Sequence, residues 1–265
     1  MREGLAGKAM WNGLGTLAAL SLIGWGLILW SVANMSSPVV ALMMPMTAAW
    51  TLLETLAVLL MWAVMMGAMM LPSAGPGVQV HRRLAADYTP AQPGAGHWFL
   101  TGYLLAWTGF SLAATALHWG FLRADILSPM GKLQDAFVAG GVLLVAGVFQ
   151  LTPPKIAFLA HCRRPDAGNQ AGGGAGGRSG RLGALRMGFD QGLCCIGCCW
   201  ALMLVLFVGG VMSLTTIVVL TLAVAVEKLA PKGAVLARLG GVLLIGFGSW
   251  VMAAAAGAAP AVPWL

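Results

Sequence analysis

Charge is the scarcest property of this chain. Of its 265 residues only 9% are Asp, Glu, Lys or Arg, while 59% are hydrophobic. A soluble domain carries roughly 25% charged residues, so the composition excludes an ordinary soluble domain and points to an integral membrane protein whose first partner is the lipid bilayer. Nucleotide and catalytic signatures are missing too. There is no P-loop, no G-x-G-x-x-G followed by an acidic residue and no H-E-x-x-H. No Ser/His/Asp set can be assembled, no spaced pair of histidines within an apolar stretch suggests haem, and no large polar segment offers the cytoplasmic domains of an ATP-driven pump. The net charge of +7 requires no nucleic-acid partner. In membrane proteins, excess Lys and Arg collects in cytoplasmic loops.

What is present is a series of long apolar runs. A helix needs about 20 apolar residues to cross the hydrocarbon core. Seven stretches are expected to do so: Gly15–Ala33, Leu52–Leu71, Trp98–Leu117, Ala136–Leu151, Gly188–Met212, Leu214–Val226 and Ala234–Ala256. The first is read as a retained span rather than a signal peptide, because no small-residue cleavage site follows it. The sixth is short. The residues before it, Gly209-Gly210-Val211-Met212-Ser213, suit a close helical hairpin. The expected fold is therefore all-α: a single polytopic transmembrane bundle of about seven spans.

Orientation follows from the basic residues. With the N-terminus cytoplasmic, Arg2, Lys8, Arg82, Arg83, Lys155, Arg163, Arg164, Arg178, Arg181, Arg186, Lys228, Lys232 and Arg238 lie inside, and only Arg123 and Lys132 outside. That asymmetry favours an N-in topology in a bacterial inner membrane. Asp166–Gly180, which is Gly-rich and polar, is expected to be a flexible cytoplasmic linker between spans four and five.

The chemistry concentrates in one run. Four of the five cysteines fall in Cys194-Cys195-Ile196-Gly197-Cys198-Cys199-Trp200. On a helix they spread over an arc of about 140°, with Cys194 next to Cys198 and Cys195 next to Cys199. Met203 stacks one turn beyond Cys199, and Gly197 lets another helix approach. Measured from Gly188, the cysteines lie roughly 9 to 17 Å along the fifth span, in its cytoplasmic half. Thiolates are soft ligands. The leading expectation is a Cu(I) site, which needs few ligands. Zn(II) is less suited, because a tetrahedral ion usually draws on separate segments. Free cysteines also serve as small apolar packing residues.

The second span carries Met61, Met65 and Met69 as an i, i+4, i+8 stripe. Thioethers are soft and neutral, so such a ladder can pass Cu(I) without a buried charge, although methionine also fills gaps in helix bundles. The span runs from outside to inside, which brings Met65 and Met69 to the depth of the cysteines. Met43, Met44 and Met46 precede it on the outer side. Glu54 is either an intramembrane carboxylate beside the stripe or a solvated helix start.

Other candidates are accessory. Proline ends the fourth span near Thr152. His161 and Cys162 follow in a basic loop, where they either add ligands or simply face the membrane surface. Asp190 and Gln191 precede the cysteines by one turn and could support the ligands. Glu227 and Lys228 form either an interfacial ion pair or, in the sharper reading, bring Glu227 to the cysteine site. His97 and His118 are expected at the interfaces, and His81 in solvent beside Arg82 and Arg83.

Three blocks carry a family likeness. They are Met61 to Ser73, Gln150 to Lys155 with His161-Cys162-Arg163, and Gly192 through Cys195-Ile196-Gly197-Cys198-Cys199-Trp200-Ala201-Leu202-Met203 to Glu227-Lys228. Over roughly residues 60 to 230 the chain resembles a bacterial family of predicted metal-binding integral membrane proteins of unknown function. Many members carry a further cysteine in the middle block, where this chain has Ile156-Ala157-Phe158-Leu159-Ala160. The resemblance implies a membrane location and a metal site but supplies no reaction.

Three functional readings follow. The first is a membrane protein that binds Cu(I) and moves it or hands it on, with a copper chaperone or the subunits of a membrane complex as partners. The second is a membrane thiol redox or assembly factor. The third is a structural subunit whose Met and Cys faces are buried interfaces. Enzyme activity is not the favoured expectation.

Overall fold

The computed structural model describes residues 2–75, 95–128, 130–163, 180–258 and 260, with backbone alone for 2–14 and 95. Among these residues the chain is all-helical. Nine α-helices are joined by one 3-10 turn, Leu71–Ala74, and the single isolated bridge pairs Leu127 with Leu133. The helices are α1 (Arg2–Ala33), α2 (Pro38–Met43), α3 (Leu52–Met70), α4 (Ala95–Arg123), α5 (Ala136–Leu151), α6 (Pro153–Arg163), α7 (Arg181–Gly209), α8 (Leu214–Leu229) and α9 (Gly233–Ala255).

Among the described residues, five segments are long and apolar enough to cross a membrane: Gly15–Ala33, Leu52–Ala74, Gly96–Arg123, Arg181–Gly209 and Gly233–Ala255. A sixth exists if α5 and α6, bent by 64° at their junction, count as one. The sixth expected span corresponds to α8, which has 16 residues. At 1.5 Å per residue it reaches about 24 Å, short of a hydrocarbon core about 30 Å thick. The outward faces carry large apolar side chains such as Leu22, Leu52, Leu182 and Leu243, a surface that suits lipid and not water.

Local signals explain the element boundaries. Thr51 caps α3 and Ser213 caps α8 through their hydroxyls. Gly210 takes φ +95°, which a Cβ would disfavour. The connection between α7 and α8 is thus a short turn, Gly210 to Ser213, within the stretch expected to form a helical hairpin. At Thr152 the prolines end α5 and also start α6, because proline is tolerated in the first turn of a helix. His161 and Cys162 thus sit on a helix, correcting the loop expected there. α7 starts at Arg181 rather than Gly188, so the cysteines lie near its middle.

The most extensive pairings are α4 with α7 and α5 with α9. Missing side chains make the first of these possible. A Cβ at Gly188 would run into the Phe99 carbonyl oxygen, and one at Gly102 into the Leu185 carbonyl oxygen. Small residues at a crossing let two backbones touch. This contact sets Tyr103 of α4 against the cysteine face of α7. The segment expected as a linker, 166–180, lies outside the described residues except for Gly180, and so do His81, Arg82, Arg83, Arg164 and Arg178.

Candidate metal centre

All five cysteines are buried and unpaired by disulfides. Four come from α7, and the fifth, Cys162, comes from α6. Cys162 Sγ lies 3.0 Å from Cys194 Sγ and 4.0 Å from Cys198 Sγ. Phe158 of α6 sits over Gly197, where a Cβ would come within 3.0 Å of its ring. The absence of a side chain at Gly197 therefore lets α6 lean onto the cysteine face. Cys194 Sγ is also 3.3 Å from the Phe158 carbonyl oxygen. The thiols of Cys198 and Cys199 donate back to the Cys195 carbonyl oxygen at 3.1 and 2.9 Å.

Around this sulfur cluster stand groups that are costly to bury. Lys228 of α8 places Nζ 2.7 Å from Cys195 Sγ and 3.3 Å from Ser73 Oγ. The Tyr103 hydroxyl is 3.2 Å from the same sulfur and 3.2 Å from the Met70 carbonyl oxygen. Lys155 of α6 donates at 2.6 Å to both Glu227 Oε2 and the Cys198 carbonyl oxygen. Gln150 Nε2 donates to Glu227 Oε1 at 2.5 Å, while Gln150 Oε1 is buried without a partner. An isolated charge in an apolar interior is strongly unfavourable, so buried charges are paired or functional.

The structure sorts the sequence candidates. Cys194, Cys195, Cys198 and Cys199 are joined by Cys162, the residue that brings a second helix to the cluster. Glu227 reaches the cluster's edge through Lys155 and does not pair with the adjacent Lys228. Met61, Met65, Met69 and Met203 are buried in the same apolar core. The Met70 carbonyl is one hydroxyl group away from Cys195, so the C-terminal end of α3 is level with the cysteines. Glu54 instead closes a capping box. Its carboxylate accepts from the Thr51 backbone N–H and hydroxyl, each at 2.7 Å, while its own N–H donates to Thr51 Oγ1. Asp190 and His161 are exposed. His118 is buried near the C-terminal end of α4, accepting from Trp62 Nε1 at 3.4 Å among aromatic rings.

Sequence reasoning did not single out Lys155, Lys228, Gln150 or Tyr103 as site residues. Ionisable residues at the ends of otherwise apolar helices were the available signal for both lysines. Tyr103 carried none.

The donor set can be compared with what a metal would need. Among the described residues, no group of three or more His, Cys, Asp or Glu side chains is placed to hold a metal ion together. What is gathered is sulfur from two helices, with Cys162 and Cys194 in contact. That arrangement fits a soft ion needing few ligands better than a hard or tetrahedral one.

The molecule is thus an all-helical protein that gathers five thiols and two lysines inside an apolar core. Residues 59–251 match the family model PpoB2, described as copper chaperone, and the chain belongs to that family. No curated protein and no solved structure matches it.

Proposed function

We propose that the protein is an integral membrane copper chaperone that accepts Cu(I) and holds it on thiolates for transfer. The observation that carries this reading is the approach of Cys162 on α6 to Cys194 and Cys198 on α7, in a chain whose family is described as copper chaperone. Cys195 and Cys199, on the neighbouring edge of α7, extend the thiol face. Met61, Met65 and Met69 form the approach from the outer side, and Met203 adds a thioether one turn past Cys199. The metal is cargo here. A thiolate set binds it as a soft cation, and a second thiol competing for it allows exchange without release into water.

The membrane arrangement is part of the proposal. The chain lies in a bacterial inner membrane with a cytoplasmic N-terminus, as the basic residues favour. α8 and its connecting residues complete seven crossings, and the thiols lie in the cytoplasmic half of the membrane. The partners are a donor or acceptor of Cu(I), either a soluble chaperone or subunits of a membrane complex.

Elemental analysis of the purified, reduced protein tests the reading. Copper bound in defined stoichiometry is expected, with a large loss when Cys162, Cys194, Cys195, Cys198 and Cys199 are all changed to Ser. Copper-free protein, or copper that survives those changes, would overturn it.

One observation favours a second reading, a membrane thiol redox or assembly factor. The Lys228 ammonium touching Cys195 Sγ is the kind of neighbour that activates a thiol. Mixed-disulfide trapping at Cys195 distinguishes it.

A further inference from the structure

The two buried lysines of the site are not equivalent. Lys155 is fully buried and forms an ion pair with Glu227 at 2.6 Å, so that pair adds no net charge. Glu227 accepts from Gln150 at Oε1 and from Lys155 at Oε2, while the Lys228 side chain turns the other way, to Cys195 and Ser73. Lys228 is 8% exposed and has no carboxylate within ion-pair distance among the described residues. Its ammonium instead meets a sulfur, a serine hydroxyl and, across that sulfur, the Tyr103 hydroxyl. The core thus carries one built-in positive charge directly against the thiol cluster.

We propose that Lys228 is a specificity-determining residue whose fixed charge selects a monovalent soft cation over a divalent one at the cysteine cluster. The inference rests on the copper reading of those thiols and adds to it the basis of selectivity. Charge arithmetic gives the reason. A monovalent ion held by two thiolates has a net charge of minus one, and the ammonium brings the buried assembly to zero. A divalent ion on the same two thiolates is already neutral, so the ammonium leaves an uncompensated positive charge in an apolar core. Burying such a charge is strongly unfavourable. Cu(I) and Ag(I) are therefore favoured, and Zn(II) is disfavoured, without any change in the sulfur ligands. The long aliphatic stem of Lys228 packs in the core while only its tip carries the charge.

The test is a competition measurement on the full-length protein in detergent, under reducing conditions, with Cu(I) and Zn(II) each titrated against a chromophoric chelator. Lys228→Met keeps the stem and removes the charge. Lys228→Gln is a second neutral variant in case the first does not fold. Lys228→Arg retains the charge. Both neutral variants are expected to lose at least about tenfold in the Cu(I)-to-Zn(II) affinity ratio, since two charges a few ångströms apart in a protein interact by more than this. Lys228→Arg should keep the ratio. A folded neutral variant with the wild-type ratio overturns the role of Lys228 and leaves the copper reading standing. Wild-type protein that fails to bind Cu(I) overturns both.

Discussion

The core has two halves built from similarly soft atoms but different companions. On one side, Met61, Met65 and Met69 are buried on α3 with Trp62, whose ring meets those of Phe207 and His118. On the other, the cysteines of α7 and Cys162 of α6 share their surroundings with Lys155, Lys228 and Glu227, the three buried charged residues among those described. Packing accounts for the first half, because methionine fills irregular space between helices. It does not account for the second. Replacing buried ion pairs by apolar side chains is often neutral or stabilising, so packing alone gives no reason for charges there. The cysteine half is where function has to be sought, and the methionine half gains a role only through its continuity with it.

Substitutions can sharpen that contrast. Glu227→Ala leaves Lys155 charged and unpaired in the core. It should destabilise the protein by about 3–5 kcal/mol, read as a lower midpoint of thermal unfolding in detergent. Lys155→Met/Glu227→Leu, which removes both charges, should recover most of that loss. Gly188→Ala acts on the crossing of α4 and α7 that sets Tyr103 against the cysteines. Its new methyl group meets the Phe99 carbonyl, so α7 must move away from α4 and Tyr103 must leave Cys195. Overpacking of this kind costs about 1–3 kcal/mol, and weaker copper retention should accompany it. Glu54→Gln is the smallest change. It weakens a capping box worth about 1 kcal/mol and should leave copper binding untouched. A loss of copper with Glu54→Gln would mean that the methionine half contains more than packing.

Much of this architecture was legible in the sequence, and the exceptions share physical causes. The apolar runs marked the helices, and Gly210 with Ser213 marked the turn between α7 and α8. The start of α7 was hidden because Arg181 and Arg186 interrupt the apolar pattern without interrupting the helix. The helix carrying Cys162 was hidden because prolines that end one helix also begin the next. Of the two readings of Glu227, the ion pair with Lys228 fails for a geometric reason. Residues adjacent on a helix point about 100° apart and do not face each other. Glu227 therefore turns to Lys155, and Lys228 to Cys195. Four of the site's cysteines could be found by spacing alone. Their companions are brought in by tertiary packing from α4, α6 and α8, which spacing within α7 does not encode.

The central claim is that thiols from two helices hold a soft monovalent metal inside this core. X-ray absorption at the copper edge of the reduced, Cu(I)-loaded protein tests it most directly, with Cys162→Ser beside the wild type. The account predicts a low-coordinate shell of sulfur in the wild type, with sulfur lost from that shell and copper released more readily in Cys162→Ser. Nitrogen or oxygen ligands in the wild type, or a copper shell indifferent to Cys162→Ser, would contradict it.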